Sequence, residues 1–283
     1  MAEIAIGPAS VDEVRAVELR HGRDDATIKL ALEFAEDGNA WAARDAGETV
    51  GVVLTHRSDE EVYVGELVVE PSYRGLRIGA RLFDAALADA GNGARSALLD
   101  ASDRASLALA LRSGLAPRAT VLRVAGAIPR EDGLLAMAAG DYRFQVDAID
   151  PAAHAFALSA LDRENRGTTR LRDHRRLSRD AEGLAFLSDG EFVAYAYVWP
   201  DGRIGPMAAA SGAYLVQIFA YALVTLQRRF GASWCTALIP GTNVRLLRAA
   251  LRAGLRIEET LTFASDAEIS ELSRYAGFHR LLF

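Results

Sequence analysis

The stretch Arg74–Ala80, RGLRIGA, follows a strand-like run, VYVGELVVEP, and opens a helix-like one. Two glycines and two arginines at such a junction have the chemistry of an anion seat. The first amides of a helix lack an acceptor within it, and the helix dipole adds partial positive charge. Gly75 and Gly79 let a phosphate approach the backbone with no Cβ in the way. Arg74 or Arg77 adds charge-assisted bonds to its oxygens. The plainer reading of the same residues is a tight turn with a solvated basic patch. Two carboxylates stand near the junction: Glu66 on the entering strand and Asp100 at the end of the next, RSALLDAS. A carboxylate can take up a proton, directly or through water. Glu66 is the first candidate base and Asp100 the second; the plain role of Glu66 is a polar residue on an edge face.

These residues need elements to hold them. EIAIGP reads as a strand, and VDEVRAVELR and DATIKLALEFAE as helices with apolar residues near 3.6 spacing. WAARDAGETVGVVLTH is a pair of strands turning at Ala46-Gly47, and EVYVGELVVEP a third. RIGARLFDAALADA is a helix, RSALLDAS a strand, ASLALALRSG a helix closed by Gly114, and PRATVLRVAG a last strand. The second half repeats this order. Residues 108–115, ALALRSGL, match residues 248–255, RAALRAGL, at five of eight positions, 140 residues apart. YRFQVDAI, AAHAFALSALDREN, a hairpin turning at Asp189-Gly190, RIGPMAA, GAYLVQIFAYALVTLQRRF, ASWCTALI, NVRLLRAALRAG and RIEETLTFAS complete the copy. The period is that of a duplicated domain, not of a solenoid. The expected division is a first domain over 1–127, a linker over 128–140 and a second domain over 141–283.

The 283 residues suit two α/β domains. A net charge of −6 argues against general nucleic-acid binding, which leans on basic patches. The single cysteine, Cys235, lies in the apolar run WCTALI and reads as a buried structural thiol in a reducing compartment. The longest apolar run, 213–226, is too short to span a bilayer, and MAEIAIGPAS lacks the pattern of a signal peptide. A cytoplasmic enzyme without nucleic-acid or membrane partners, monomer or homodimer, is the expectation. The five histidines have no zinc-like spacing.

VVEPSYRGLRIGARL resembles the acyl-CoA-binding segment of the GNAT superfamily of N-acetyltransferases, in which a strand and a proline precede Arg/Gln-x-x-Gly-x-Gly/Ala at a helix start. Leu67, Val68, Val69, Pro71, Arg74, Ile78 and Gly79 fall in step with that pattern. The resemblance implies two tandem GNAT-like domains, each a mixed, mostly antiparallel sheet flanked by helices. It implies acetyl-CoA as acyl donor, with the backbone of Leu67, Val68 and Val69 on the pantetheine arm. The amides of Arg74, Gly75, Leu76, Arg77, Ile78, Gly79 and Ala80 would hold the pyrophosphate. A second family pattern, Asn-x-x-Ala-x-x-Leu-Tyr-x-x-x-Gly-Phe, is similar to Asp103, Ser106, Leu109, Ala110, Gly114 and Leu115, and again to Asn243, Leu246, Ala249, Ala250, Gly254 and Leu255. Asp103 thereby joins the cofactor set. The family's first loop glycine falls on Arg77, and its tyrosine, which often protonates the departing thiolate, falls on Ala110 and Ala250. The loop equivalent in the second half, PMAAASGAYLVQIF, has no arginine, so that half is expected to bind CoA weakly or not at all.

The expected activity is transfer of an acetyl group from acetyl-CoA to a primary amine of a small molecule or peptide, by the first half. A backbone N–H near Val68 or Val69 would polarise the thioester carbonyl. The rival is a non-catalytic CoA-binding or regulatory protein. Residues 163–179 carry seven arginines and His174, read as a solvated amphipathic helix or as a basic lip over an acidic substrate, with His174 on the surface. Trp199 packs in the core or lines a pocket at the domain junction. The tail, EISELSRYAGFHRLLF, reads as a short helix and a strand that crosses to the other domain.

Overall fold

The computed structural model describes residues 4–283 apart from 59, 89–92, 140–141 and 269–271. In the first half, β1 (Ala5–Pro8), α1 (Val11–Arg20), α2 (Asp25–Glu36), β2 (Ala40–Asp45), β3 (Glu48–Arg57), β4 (Glu61–Val69), α3 (Ile78–Leu87), β5 (Ala94–Asp100), α4 (Arg104–Arg112) and β6 (Ala116–Ala127) follow one another. The expected helix over 77–90 runs to Leu87; its residues 89 and 90 lie outside the described residues. A connecting helix, α5 (Glu131–Ala138), occupies the expected linker, whose last residue, 140, also lies outside. The second half has the same ten elements: β7 (Gln145–Ala148), α6 (Ala155–Arg166), α7 (Leu171–Asp180), β8 (Glu182–Ser188), β9 (Glu191–Val198), β10 (Ile204–Ala209), α8 (Leu215–Phe230), β11 (Trp234–Pro240), α9 (Val244–Arg252) and β12 (Arg256–Ser265). A two-residue strand, β13 (Tyr275–Ala276), follows after a turn of 3₁₀ helix; residues 269–271 of the expected tail helix are outside the described residues.

Local chemistry accounts for the element ends. Ser10 and Glu13 form a reciprocal capping box on α1, and the Asp24 side chain caps α2 at Thr27. Ala46-Gly47 and Asp189-Gly190 both take positive φ, the conformation two-residue hairpin turns demand.

The strands form a mixed sheet of eight, in the order β1-β2-β3-β4-β5-β12-β6-β11, and a second of five, β13-β10-β9-β8-β7. The halves exchange their last strands. β12 of the second half pairs with β5 of the first, and β6 of the first with β11 of the second. Leu261 opposes Asp100, and its counterpart Val121 opposes Pro240, both pairs set 140 residues apart. β6 and β12 pair with each other at Val121 and Leu261, so an approximate twofold axis passes between two equivalent positions. Both faces of this layer are packed: Leu98, Val121, Leu238, Leu261 and Phe263 share one apolar cluster with residues of both halves.

Polar contacts add to the seam. His56 meets Asp173 at 2.7 Å, Arg166 meets Glu61 at 3.1 Å, and Arg163 meets Glu60 at 2.7 Å. The arginine run therefore departs from a solvated helix. It spans the end of α6 and most of α7, and Arg166 and Arg170 are buried. His174 is 1% exposed, held between Asp162 at 2.8 Å and Tyr197 at 3.0 Å, because its position on α7 faces α6 and β9. This corrects the surface placement of His174: a polar side chain goes inside once it finds partners there.

Candidate active site

β4 and β5 run parallel from Glu61↔Ala94 to Val64↔Ala97 and then part. β4 keeps its partner on the other side, with Leu67 opposite Val53 and Val69 opposite Gly51. A register shift against β3 leaves Gly65 as the extra residue, where the strand begins to diverge from β5. The gap this opens is a narrow cavity of about 90 Å³ lined by Gly65, Glu66, Leu67, Leu98, Asp100 and Asp103, among others.

At the far end of β4, Pro71–Tyr73 make one 3₁₀ turn and Arg74 runs extended, its Nε donating to the Val69 carbonyl at 3.2 Å. Tyr73 braces the loop by donating to Asp45 at 2.9 Å. Gly75 takes φ of 83°, and Arg77, at the head of α3, takes φ of 61° and ψ of 12° with no side-chain cap. Arg77 thus adopts the left-handed conformation that glycine takes without penalty, at a cost of about 1–2 kcal/mol. The resemblance places a glycine here, and the backbone follows that pattern although the side chain does not. The first helical hydrogen bond of α3 runs from Arg81 N to the Arg77 carbonyl, so the amides of Ile78, Gly79 and Ala80 have no acceptor within the helix. Leu76 and Arg77 are exposed, leaving the seat open to solvent.

Glu66 projects near the parting of the strands and forms an ion pair with Arg23. Asp100 closes β5 and accepts from Ser102 N at 2.8 Å and Ser102 Oγ at 2.7 Å. Those bonds stabilise its charge and lower its pKa, which makes it a weaker base than an ordinary aspartate. Asp103 caps α4 by accepting from Ala105 N at 3.0 Å and Ser106 N at 3.2 Å; burial pushes its pKa up, but the Ser106 hydroxyl and these amides outweigh that and lower it. Glu66, Asp100, Asp103 and Leu67 therefore share one cavity, while Arg74–Ala80 do not line it and follow β4 at its far end.

A larger cavity of about 450 Å³ opens on the inner side of Gly65 and Glu66, between the halves, and continues from the narrow one through Arg23 and Arg280. Its wall is the tail: Leu281 packs on Gly65 so closely that a Cβ there would fall 2.8 Å from its Cα. Tyr63, buried in β4, donates its hydroxyl to the Arg280 carbonyl. Sequence reasoning did not single out Glu18, Arg23, Arg123 or Arg280. Glu18 was readable in part, for it shares the α1 stripe of Val14 and Val17. It is 1% exposed, neither carboxylate oxygen has a hydrogen-bond partner among the described residues, and Arg23 Nε lies 3.8 Å away. Burial, reinforced by the charge of Glu66, raises its pKa to about 8, against the pull of Arg23.

The second half repeats the geometry with the spaces filled. Between β10 and β11 lies β13, with Met207 opposite Ala276 and Ala208 opposite Tyr275. Leu238 and Gly277 exchange hydrogen bonds at 2.9 and 2.8 Å on the other side. Asn243, the counterpart of Asp103, donates to the Tyr275 carbonyl at 3.3 Å. Over the head of α8, Arg274 donates to the Ala210 carbonyl at 2.8 Å and the Tyr142 ring stands 4.6 Å from that of Tyr214. Trp199 stacks on Phe278 at 4.7 Å and lines a separate cavity of about 240 Å³. Cys235 is fully buried, and burial pushes its thiol up to about 12.

Residues 10–115 match the acetyltransferase (GNAT) family. No curated protein matches the chain. Among solved structures, a Pyrococcus horikoshii protein thought to be an acetyltransferase aligns with a TM-score of 0.75 at 16% identity, covering 99% of this chain and 96% of its own. A tandem GNAT protein from the clavulanic acid biosynthesis pathway aligns with a TM-score of 0.64 at 17% identity, over 93% of this chain and 98% of its own. A GCN5-related N-acetyltransferase from Sphaerobacter thermophilus aligns at 0.63 and 14%, over 96% and 100%. At such identities the likeness is one of fold. The chain has the fold of the tandem GNAT proteins, and its residues 10–115 match the GNAT acetyltransferase family.

Proposed function

We propose that the first half transfers an acetyl group from acetyl-CoA to a primary amine of a small molecule or peptide held in the cavity between the halves. One observation carries this reading: β4 parts from β5 just before Glu66, a carboxylate that lines both cavities, and the same strand runs on to the turn whose free amides open α3. The diphosphate of the donor rests on the amides of residues 76–80, with Arg74 and Arg77 beside it. The pantetheine arm lies along Leu67, Val68 and Val69, whose backbone edge toward β5 lacks a strand partner, and the thioester ends near Glu66.

Glu66 takes a proton from the acceptor ammonium or from the attacking amine. The nitrogen forms its bond to the thioester carbon, a backbone N–H near Val68 or Val69 stabilises the oxyanion, and the C–S bond breaks. The sulfur leaves as a thiolate and takes its proton from solvent, since Ala110, 1% exposed, offers no hydroxyl where the family places tyrosine. That same alanine favours a second reading, CoA binding without transfer.

Incubation with acetyl-CoA and a panel of primary amines, read as free thiol, separates the two. Thiol release that depends on the amine supports transfer. A rise in melting temperature with CoA, but no thiol release with any amine, supports the binding protein.

A further inference from the structure

The cavity between the halves collects four arginines from four separate places: Arg23 after α1, Arg123 on β6, Arg203 before β10 and Arg280 in the tail. Three carboxylates face them, Asp24, Glu66 and Glu259. Two of these arginines are also matched by carboxylates that do not line the cavity, Arg203 by Asp201 at 2.8 Å and Arg123 by Glu258 at 2.7 Å. Arg280 instead shares its carboxylate. Glu259 accepts from Arg123 at 3.1 Å and from Arg280 at 3.0 Å, so one anion serves two guanidinium groups. Each guanidinium has five N–H donors in a planar fork, and these contacts use one or two of them.

His279, the remaining titratable group of the cavity, adds no countercharge. Leu281 N donates to its Nδ1 at 3.2 Å, so Nε2 carries the proton and donates to Thr27 Oγ1 at 3.0 Å. Burial, then Arg203, Arg280 and Arg23, push its pKa down to about 3, against the pull of Asp24. At neutral pH it is an uncharged positioning residue for the tail.

Glu66 and Arg280 line both cavities, where the acceptor nitrogen must arrive, and Arg123 and Arg203 line the larger one alone. We infer that the acceptor is an amine that also bears an anionic group, a carboxylate or a phosphate, which Arg280 and Arg123 bind while Glu66 faces the nitrogen. The inference names the acceptor class of the acetyl-transfer reading and rests on it. A guanidinium pairs with either anion through the same fork, so the two share one chemistry.

The test is calorimetric titration of the full chain with matched pairs: β-alanine against β-alaninamide, and glucosamine 6-phosphate against glucosamine. The anionic member of at least one pair binds about tenfold more tightly or better, and the gap narrows with added salt. The pair with the larger gap identifies carboxylate or phosphate as the group. Arg123→Gln narrows that gap, Arg123→Lys keeps part of it, and in turnover Arg123→Gln raises KM for the anionic amine with little change in kcat. Equal binding within both pairs, or no binding of either anionic member at millimolar concentration, overturns the inference. CoA-induced thermal shift is read separately. A gap without a CoA shift removes the acetyl-transfer reading and keeps the anion site; a CoA shift without a gap does the reverse.

Discussion

Between β4 and β5 the first half leaves a channel; between β10 and β11 the second half inserts Tyr275–Gly277. The two gaps descend from the same arrangement, down to a glycine in each at the register shift. Gly65 faces the backbone of Leu281, and Gly205, 140 residues on, faces that of Gly277, each so close that a Cβ would come within 2.8 Å. The one tail passes both positions. It fills the second gap with backbone hydrogen bonds and then builds the inner wall of the first. One gap is left open and the other is a socket for the chain's own tail.

The same contrast holds for buried carboxylates. Asp162 on α6 is fully enclosed and satisfied by His174 and Tyr195. Glu18 on α1 is as deeply enclosed and has no hydrogen-bond partner for either oxygen among the described residues. Unsatisfied buried groups are rare and gather at working sites, and Glu18 lies beside Arg23 and Glu66.

Five substitutions sharpen or break this comparison. Asp162→Ala leaves His174 and Tyr195 buried without their partner and is expected to cost about 3–5 kcal/mol in urea unfolding. Glu18→Gln is expected to do the opposite at alkaline pH. The folded pKa of about 8 lies above the unfolded value near 4.5, so the native state holds a proton that the unfolded chain releases. Stability from this group is therefore lost as pH rises from about 4.5 to 8, and the loss persists above that. The variant flattens that slope and gains roughly 2–4 kcal/mol at pH 8. Equal pH profiles for the two proteins would count against a protonated Glu18.

Gly79→Glu places a carboxylate in the seat, where a Cβ has room: its nearest contacts are Val69 and Leu67 at 3.7 and 3.8 Å. CoA affinity should fall more than tenfold, about 1.4 kcal/mol, with the melting temperature in place. Ala210→Glu at the covered head of α8 should leave CoA affinity as it was; a loss there would put the donor in the second half. The smallest effect belongs to Arg77→Gly. Relief of a left-handed arginine, about 1–2 kcal/mol, is offset by the glycine's added freedom when unfolded, about 0.5–1 kcal/mol. A net gain of about 0.5–1 kcal/mol in unfolding free energy is expected, with CoA binding unchanged or tighter.

Much of this was legible beforehand. The 140-residue offset, the element order of both halves and the turns at Ala46-Gly47 and Asp189-Gly190 follow from short-range chemistry, periodicity and turn conformation. The tail strand was expected to cross to the other domain; β13 pairs with β10 of its own half, and it is Arg280 and Leu281 beyond it that reach Tyr63 and Gly65 of the first. Even the left-handed position of Arg77 was marked in advance as the place where a glycine was missing.

Three features were decided only by the folded chain. β6 and β12 have nearly the same pattern because they are copies, so either satisfies β5 locally; which one pairs depends on the whole arrangement of both halves. The second gap looked degenerate for want of arginines, yet what closes it is β13, a strand of two residues whose hydrogen bonds reach back to β10 and β11. And His174 and Glu18, polar residues on amphipathic helices, went inside for opposite reasons, one because partners waited there and the other without them. Sequence settles what each segment does with its neighbours in the chain; burial and charge depend on which distant segments arrive beside it, and that is a property of the packed molecule.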